Sequence, residues 1–170
     1  ACLAALEMVR SFKRLRKRWM KEGKEIFNIK IGINTGDMIV GNIGPKHSFD
    51  YSVIGAAVNL GVQLRDINKV YMTANHIIIS EFTKNELCDN IVTRELDSVR
   101  AKGFNKPMAI FEFVGEKDSI VYPKEFLVHF TEGLERYKKM EWDLAIKEFS
   151  AGLKVKDDEV SRTYIKRCSL

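Results

Sequence analysis

Three polar side chains in this 170-residue chain are of types that could bind a phosphorylated small molecule. Ser52 lies in an apolar, β-prone stretch, and its hydroxyl can both donate and accept a hydrogen bond. Asn59 follows Gly55 in the first turn of a predicted helix, where its amide suits a ligand or a helix cap equally well. Lys102 stands beside Gly103, and a cation on a turn suits phosphate but also any exposed loop. These residues alone leave binding and structural roles open.

Glycines recur around the first two of these residues, at positions 32, 36, 41, 44 and 55. Glycine permits tight turns and close approach of the backbone to a neighbouring element or a ligand. A hairpin that simply needs turns would also explain the spacing, and the glycines by themselves favour that simpler interpretation.

The elements predicted to position these residues alternate between helix and strand. Helical periodicity covers residues 1–22. Alternating apolar and polar side chains predict a strand over residues 26–34, and a turn then leads to a second strand over 38–43. These two strands are expected to form a hairpin. A short strand over residues 49–54 precedes a helix over 56–67.

The next part of the chain continues the same alternation. A short buried strand is predicted over residues 77–80 and a short helix over 81–87. Two further strands are predicted over residues 91–99 and 108–114. This order is typical of an α+β sheet with helices on one face.

The last third of the chain changes to helices. Residues 1–115 are predicted to form one domain, residues 116–123 a polar linker, and residues 124–170 a helical tail. The apolar spacing predicts three helices, over residues 126–139, 142–154 and 159–168. Part of the tail resembles one tetratricopeptide repeat, through Gly133, Tyr137, Trp142, Ala145 and Phe149. The tail is therefore expected either to pack on the domain as structural support or to bind a partner protein.

Composition excludes several classes of protein. Hydrophobic residues make up 45% of the chain and charged residues 30%, which excludes disordered and collagen-like chains. No apolar run is long enough to span a bilayer. The three cysteines, Cys2, Cys88 and Cys168, are odd in number and scattered. They favour reduced thiols in a cytoplasmic protein over a disulfide framework or a metal site.

Positive charge is concentrated in residues 10–24, within a net charge of +5. One interpretation is a patch that binds nucleic acid or anionic lipid. The other is the solvent-exposed face of an amphipathic helix, and the nearly unbroken helical spacing of the apolar residues favours it. That spacing predicts a buried stripe of Leu3, Leu6, Val9, Phe12, Leu15 and Trp19. A nucleic-acid partner is therefore not expected.

Several short motifs, taken together, strongly resemble the catalytic domain of class III adenylyl and guanylyl cyclases. They are IGINTG at residues 31–36, GNIG at 41–44, DYSVIG at 50–55 and VNL at 58–60, in that order. LDSVRAKG at residues 96–103 resembles the family's closing strand pair. The resemblance implies the C-terminal part of a ferredoxin-like α+β cyclase domain, followed here by an α-helical hairpin tail.

The resemblance implies a role for each of the three polar side chains. In this family two domains pair head to tail, and ATP or GTP lies in the shared cleft. By position, Ser52 corresponds to the purine-facing residue, Asn59 to the asparagine that orients the ribose, and Lys102 to a lysine that approaches phosphate. A hydroxyl at position 52 is more similar to the adenylyl subtype than to the guanylyl subtype, where cysteine is usual. ATP is therefore the expected nucleotide, with GTP as the alternative.

The family's catalytic metals are the first point of departure. The resemblance implies Mg²⁺ or Mn²⁺ in the parent enzyme, held by two aspartates on segments that would precede Ala1. Asp37 and Asp50 are nearby carboxylates, but neither occupies a metal position. This chain alone is thus expected to bind no metal and to be inactive, as a fragment of a longer protein that other segments could anchor to a membrane.

The second departure concerns transition-state charge. The family's helix carries an arginine where this chain has Gln63, and an aspartate where it has Ala56. Losing such a preorganised charge costs about 3 kcal/mol or more, roughly a hundredfold in rate. On this view Gln63 is a degenerate catalytic position, and Gln63→Arg is expected to raise turnover.

Two functions therefore compete. The first is an adenylate cyclase for intracellular signalling that works as a homodimer, its tail serving regulation or docking. The alternative is a catalytically degenerate cyclase-like protein that binds nucleotide or a partner protein. Ser52 and Asn59 favour the first, whereas Gln63 and Ala56 favour the second.

Overall fold

The computed structural model of the protein describes residues 1–43, 50–119 and 122–170. Gly44 of the GNIG motif, the first residue of the strand predicted over 49–54 and part of the linker predicted over 116–123 lie outside the described residues. In chain order the elements are α1 (Cys2–Lys21), β1 (Ile31–Ile33), β2 (Ile39–Ile43), β3 (Asp50–Ile54), α2 (Ala56–Tyr71), β4 (Ile77–Ser80), α3 (Glu81–Asn85), β5 (Ile91–Val99), β6 (Met108–Glu116), α4 (Lys124–Lys138), α5 (Trp142–Val155) and α6 (Glu159–Cys168). The predicted α+β class is confirmed.

Within the part of the chain that the structure describes, the strands form two separate sheets. The larger has four strands in the order β1-β4-β6-β5, with β1 parallel to β4 and the other pairs antiparallel. The smaller is an antiparallel pair of β2 and β3, in which Gly41 lies opposite Ser52. The second sheet therefore carries one of the candidate site residues.

The predicted hairpin between the first two strands is wrong. β1 pairs with β4, with Gly32 opposite Ile78, and β2 pairs with β3 instead. The physical reason is packing: Ile31 and Ile33 are half-buried against the core beneath α1, so β1 joins the larger sheet as its edge strand next to β4. In β2, by contrast, the side chains of Ile39 and Val40 are exposed.

The larger sheet is covered on both faces, so the expectation of helices on one face is also wrong. Ile77, Ile79 and Phe113 pack with α1 on one side. Ile78 and Ile110 face the opposite side, where they join α2 and the helical tail in a second core. Three consecutive buried isoleucines in β4 are possible only because both faces of that strand are covered.

Helix α1 is amphipathic, as predicted, but its buried stripe is shorter. Leu3 is 48% exposed, whereas Leu6 and Val9 are buried. Near the other end, Trp19 packs on Phe27 with ring centroids 5.5 Å apart. Phe27 thus packs on the helix, which agrees with β1 starting at Ile31 rather than at residue 26.

The tail packs on the sheet and shares its core. Phe126 of α4 and Phe149 of α5 belong to the same buried cluster as Leu96 of β5. A Cβ at Gly133 would lie 2.9 Å from the Phe149 ring, so a small residue there allows α4 and α5 to approach closely. Within the described ranges, no helix is long and apolar enough to cross a membrane.

Candidate functional site

The candidate site is built around the first two turns of α2. This helix begins at Ala56, directly after β3 and Gly55. Asn59 and Gln63 are four residues apart and lie on the same face of the helix. The backbone N–H of Asn59 donates to the Gly55 carbonyl at 3.2 Å. The side chain of Asn59 is exposed, so its carboxamide is available to a ligand.

Gln63 is joined to the turn that carries Lys102. Its Nε2 donates to the Lys102 carbonyl oxygen at 3.1 Å, and its Oε1 accepts from the Lys102 backbone N–H at 2.7 Å. One side-chain amide therefore satisfies both polar groups of the Lys102 backbone. These bonds link α2 to the segment between β5 and β6 across 39 residues of sequence.

The turn itself presents Lys102 to solvent. Ala101 is buried, whereas Lys102 and Gly103 are exposed. The Phe104 N–H donates to the Ala101 carbonyl at 3.1 Å and closes the turn. Gly103 has a φ of +91°, a conformation that side-chain-bearing residues rarely adopt, which explains a glycine after the lysine.

A close approach between β1 and α2 sets the position of the helix. A Cβ at Gly32 would lie 2.2 Å from the Gly61 carbonyl oxygen and 2.4 Å from the Arg65 nitrogen, so only glycine fits. Asn34, just after β1, donates from Nδ2 to the Ala57 carbonyl at 3.0 Å, and its Oδ1 accepts from Ser80 Oγ at 2.6 Å. The end of β1 thereby holds the first turn of α2 against the sheet.

Ser52 lies apart from this arrangement. It sits in β3 with an exposed side chain, opposite Gly41, and β3 is joined to α2 through Gly55. The structure thus brings Asn59, Gln63 and Lys102 into one connected group and places Ser52 on the adjoining two-stranded sheet.

The strand that leads to Lys102 is also held by the tail. Arg167 Nη1 lies 2.8 Å from Asp97 Oδ2, and the Tyr71 hydroxyl donates to the same carboxylate. Burial, reinforced by Asp97, raises the pKa of Tyr71 above its ordinary value, so this hydroxyl remains a donor. The Tyr164 hydroxyl of α6 donates to the Leu96 carbonyl.

The described residues do not fit a metal site. Among them, no group of three or more histidine, cysteine, aspartate or glutamate side chains is close enough to hold a metal ion. Asp37 follows the turn after β1 and Asp50 begins β3, and neither joins such a group.

Two features of the site are missed by reasoning from the sequence. The family resemblance predicts that Gln63 replaces an arginine, and it gives no sign that the amide makes two hydrogen bonds to a distant turn. The sequence shows Asn34 only as part of a motif, whereas in the structure its amide links β4 to α2. A polar side chain directly after a half-buried apolar strand is a signal for Asn34. No local pattern could indicate the partner of Gln63.

Comparison with known proteins places the chain among nucleotidyl cyclases. A family model described as "Adenylate and Guanylate cyclase catalytic domain" matches residues 1–115. The chain is 31% identical over 144 residues to "Adenylate cyclase, terminal-differentiation specific" from Dictyostelium discoideum, covering 81% of this chain and 7% of that protein. It is 30% identical over 115 residues to "Adenylate cyclase 1" from Rhizobium meliloti, covering 68% of this chain and 17% of that protein. The chain thus spans a small part of each relative.

Solved structures agree in fold. The adenylyl cyclase CyaB from P. aeruginosa is 33% identical with a TM-score of 0.57, and the match covers 65% of this chain and 55% of that one. The guanylyl cyclase Cya2 is 28% identical with a TM-score of 0.57, covering 66% of this chain and 55% of that one. The family model ends at residue 115, and the tetratricopeptide resemblance of the tail stays a prediction.

Proposed function

Because this chain belongs to the adenylate and guanylate cyclase catalytic domain family, we propose that the full-length protein converts ATP to cyclic AMP and pyrophosphate for intracellular signalling. In this reaction the ribose 3′-oxygen forms a bond to the α-phosphorus, the bond from that phosphorus to the pyrophosphate oxygen breaks, and the 3′-hydroxyl proton is released. ATP is proposed over GTP because the two curated relatives described above are named adenylate cyclases and residue 52 is a serine.

Roles are proposed for Asn59 and Lys102, which belong to the connected group, and for Ser52 on the adjoining small sheet. Asn59 orients the ribose, Lys102 approaches the phosphates, and Ser52 hydrogen-bonds to the purine. The observation that supports this best is the pair of hydrogen bonds between Gln63 and the Lys102 backbone. They tie the backbone of Lys102 to the same helix that exposes Asn59.

A second copy is proposed to complete the site. The small sheet exposes apolar side chains along both strands, including Ile39, which is 75% exposed, and Tyr51, which is 79% exposed. The other exposed apolar residues there are Met38, Val40, Val53 and Ile54. Such a concentration of exposed apolar side chains on a paired strand favours burial against a partner. The homodimer is proposed to use this face.

The dimer is tested by sedimentation. Ile39→Glu is expected to dissociate the dimer, because a charge would be buried in an apolar contact. Val128→Glu is the matched control, since Val128 is 66% exposed on α4, away from the small sheet. A chain that sediments as a monomer at micromolar concentration before any substitution would contradict the proposed dimer.

The activity is tested on the full-length protein with ATP and either Mg²⁺ or Mn²⁺, by measuring cyclic AMP. Asn59→Ala is expected to lower kcat by roughly a hundredfold, the usual effect of removing a positioned hydrogen-bonding group from a catalytic site. Lys69→Leu is the control, because Lys69 is exposed near the other end of α2. Equal activity of Asn59→Ala and the unsubstituted protein would exclude this site.

A degenerate, cyclase-like binding protein remains the second candidate. The Gln63 side chain carries no charge and its amide is already engaged by the Lys102 backbone, so it cannot act as a transition-state cation. On this proposal the full-length protein binds nucleotide or a partner protein without turnover. Nucleotide binding with no cyclic AMP, under both metals, would favour it over the cyclase.

A further inference from the structure

We propose that Gln63 is a positioning residue, which holds the Lys102 turn in place so that the lysine is preorganised for the phosphates of the nucleotide. This inference rests on the proposed function, because it assigns a use to Lys102 within that site. It differs from the expectation drawn from the sequence, in which Gln63 is only a lost arginine.

The hydrogen bonds are specific to a carboxamide of this length. The Lys102 backbone presents a carbonyl that needs a donor and an N–H that needs an acceptor, and Gln63 supplies both at 3.1 and 2.7 Å. An arginine has five donors and no acceptor, whereas a glutamate carboxylate only accepts. Either replacement would leave one of the two Lys102 groups without this partner.

The turn is anchored on either side of the lysine, by the buried Ala101 and by Phe104, whose ring centroid lies 6.5 Å from that of Phe82. Ala101 is buried, but Lys102, Gly103 and Asn105 are exposed. A lysine side chain is long and flexible, and its backbone must be ordered before its amine can be directed at a ligand. The two bonds from Gln63 supply that order at the backbone of Lys102 itself.

Preordering of this kind lowers the cost of binding. A group that is already held in its binding conformation loses less conformational entropy when the ligand arrives. Gln63 lies on the same helix face as Asn59, so the proposed ribose-orienting and phosphate-binding residues are held in a common frame. Gln63 thus acts on the phosphates through Lys102, without touching the nucleotide.

Hydrogen exchange of the backbone amides tests the anchor without nucleotide. In Gln63→Leu and Gln63→Arg, the Lys102 amide is expected to exchange roughly tenfold faster, because one hydrogen bond to it is lost or weakened. Gln63→Glu keeps the acceptor and is expected to protect this amide largely as the glutamine does. Lys69→Leu, on the same helix, is the control and should leave it unchanged.

A double-mutant cycle then tests the link to the ligand in the full-length protein. The probes are α,β-methylene-ATP, which carries phosphates, and adenosine, which does not. Gln63→Leu is expected to weaken binding of the triphosphate analogue roughly threefold to tenfold and to leave adenosine unchanged. When Lys102→Ala is already present, Gln63→Leu should add no further loss, because its effect passes through the lysine.

Each outcome has a definite consequence. Additive effects of the two substitutions, equal losses for both probes, or unchanged exchange at Lys102 would overturn the positioning role while leaving the proposed function intact. A rise in kcat for Gln63→Arg would also overturn it and restore the degenerate-arginine hypothesis. Failure of the unsubstituted full-length protein to bind the analogue would refute the proposed function, and the positioning role with it.

Discussion

Arg94 and Asp158 lie 3.0 Å apart in the interior of the protein, with only 2% and 4% of their side chains exposed. Arg94 belongs to β5 and Asp158 caps the N-terminus of α6, so the pair joins the cyclase sheet to the tail. Arg94 also lies 2.7 Å from Glu112, and the Tyr122 hydroxyl donates to that carboxylate. Burial alone would lower the pKa of Arg94, but the nearby Glu112, Tyr122 and Asp158 outweigh it and raise the pKa.

Breaking this pair is expected to destabilise the fold strongly. Asp158→Ala removes one partner of a buried cation and also the cap of α6, whose Oδ2 accepts from the Ser161 N–H at 2.9 Å. The expected loss is about 3–5 kcal/mol in the free energy of unfolding, measured by urea denaturation. The neighbouring Asp157→Ala is the control, because its pair with Arg162 is exposed to solvent and should contribute little to the free energy of unfolding. Equal losses from the two substitutions would contradict the prediction.

Removing residues 124–170 is expected to abolish cooperative unfolding of the remaining chain. The tail covers Leu96, Ile110 and Val114 of the sheet, which share one buried cluster with it. Exposing that apolar face would favour aggregation. The measurement is circular dichroism during denaturation, and a chain lacking only the exposed Ser169 and Leu170 is the control. A truncated chain that unfolds at the same urea concentration would show that the predicted domain of residues 1–115 is independent of the tail.

Gly32→Ala is expected to be among the most damaging small substitutions. The new Cβ would meet backbone atoms of Gly61 and Arg65, which cannot move without shifting α2. A loss of about 3 kcal/mol or more in the free energy of unfolding is expected from such overpacking. Gly41→Ala serves as the matched control, since a Cβ there meets nothing within 4 Å. If both variants unfold alike, the tight contact between β1 and α2 is not a constraint.

His76 is expected to make stability depend on pH. Burial lowers the pKa of His76, and the charges of Lys13, Lys30 and Arg16 lower it further. Between this lowered pKa and the ordinary value of about 6.5, the unfolded chain binds more protons than the folded one. The free energy of unfolding should therefore fall as pH decreases through this window and stay level above it.

The contribution of His76 is isolated by comparing urea denaturation of the protein and of His76→Asn between pH 7.5 and 5. Asparagine tolerates the positive φ of 56° at this position, so the backbone should be retained. The difference between the two proteins is expected to change across the window. If the free energies of unfolding of the two proteins differed by the same amount at every pH, protonation of this imidazole would not be coupled to folding.

Much of the local structure is predictable because local patterns carry it. The helices at residues 56–67 and 142–154 and the strand at 77–80 are found close to their predicted positions. In each of these elements, the spacing of the apolar residues follows from which of its faces are buried. The strand predicted over residues 26–34 is shorter, because Phe27 packs on Trp19. That contact joins two segments and has no counterpart in a single window of sequence.

Strand pairing is not predictable in the same way. Residues 26–43 have the alternation and the turn of a hairpin, yet β1 pairs with β4 and β2 pairs with β3. The pairing is decided by which strand can be covered on both faces, and that depends on α1 and α2. A local turn signal is weaker than the burial of Ile31 and Ile33.

The sequence by itself determined the family, the α+β class and the identity of the candidate residues Ser52, Asn59 and Lys102, because side-chain types and their order are properties of the chain. Only the tertiary structure decided that Gln63 holds the Lys102 turn and that Arg94 joins the sheet to the tail. Hydrogen bonds and ion pairs act over about 3 Å in space. Folding brings Gln63 to Lys102, which is 39 positions away in the sequence, and Arg94 to Asp158, which is 64 positions away. No spacing in the sequence connects the members of these pairs.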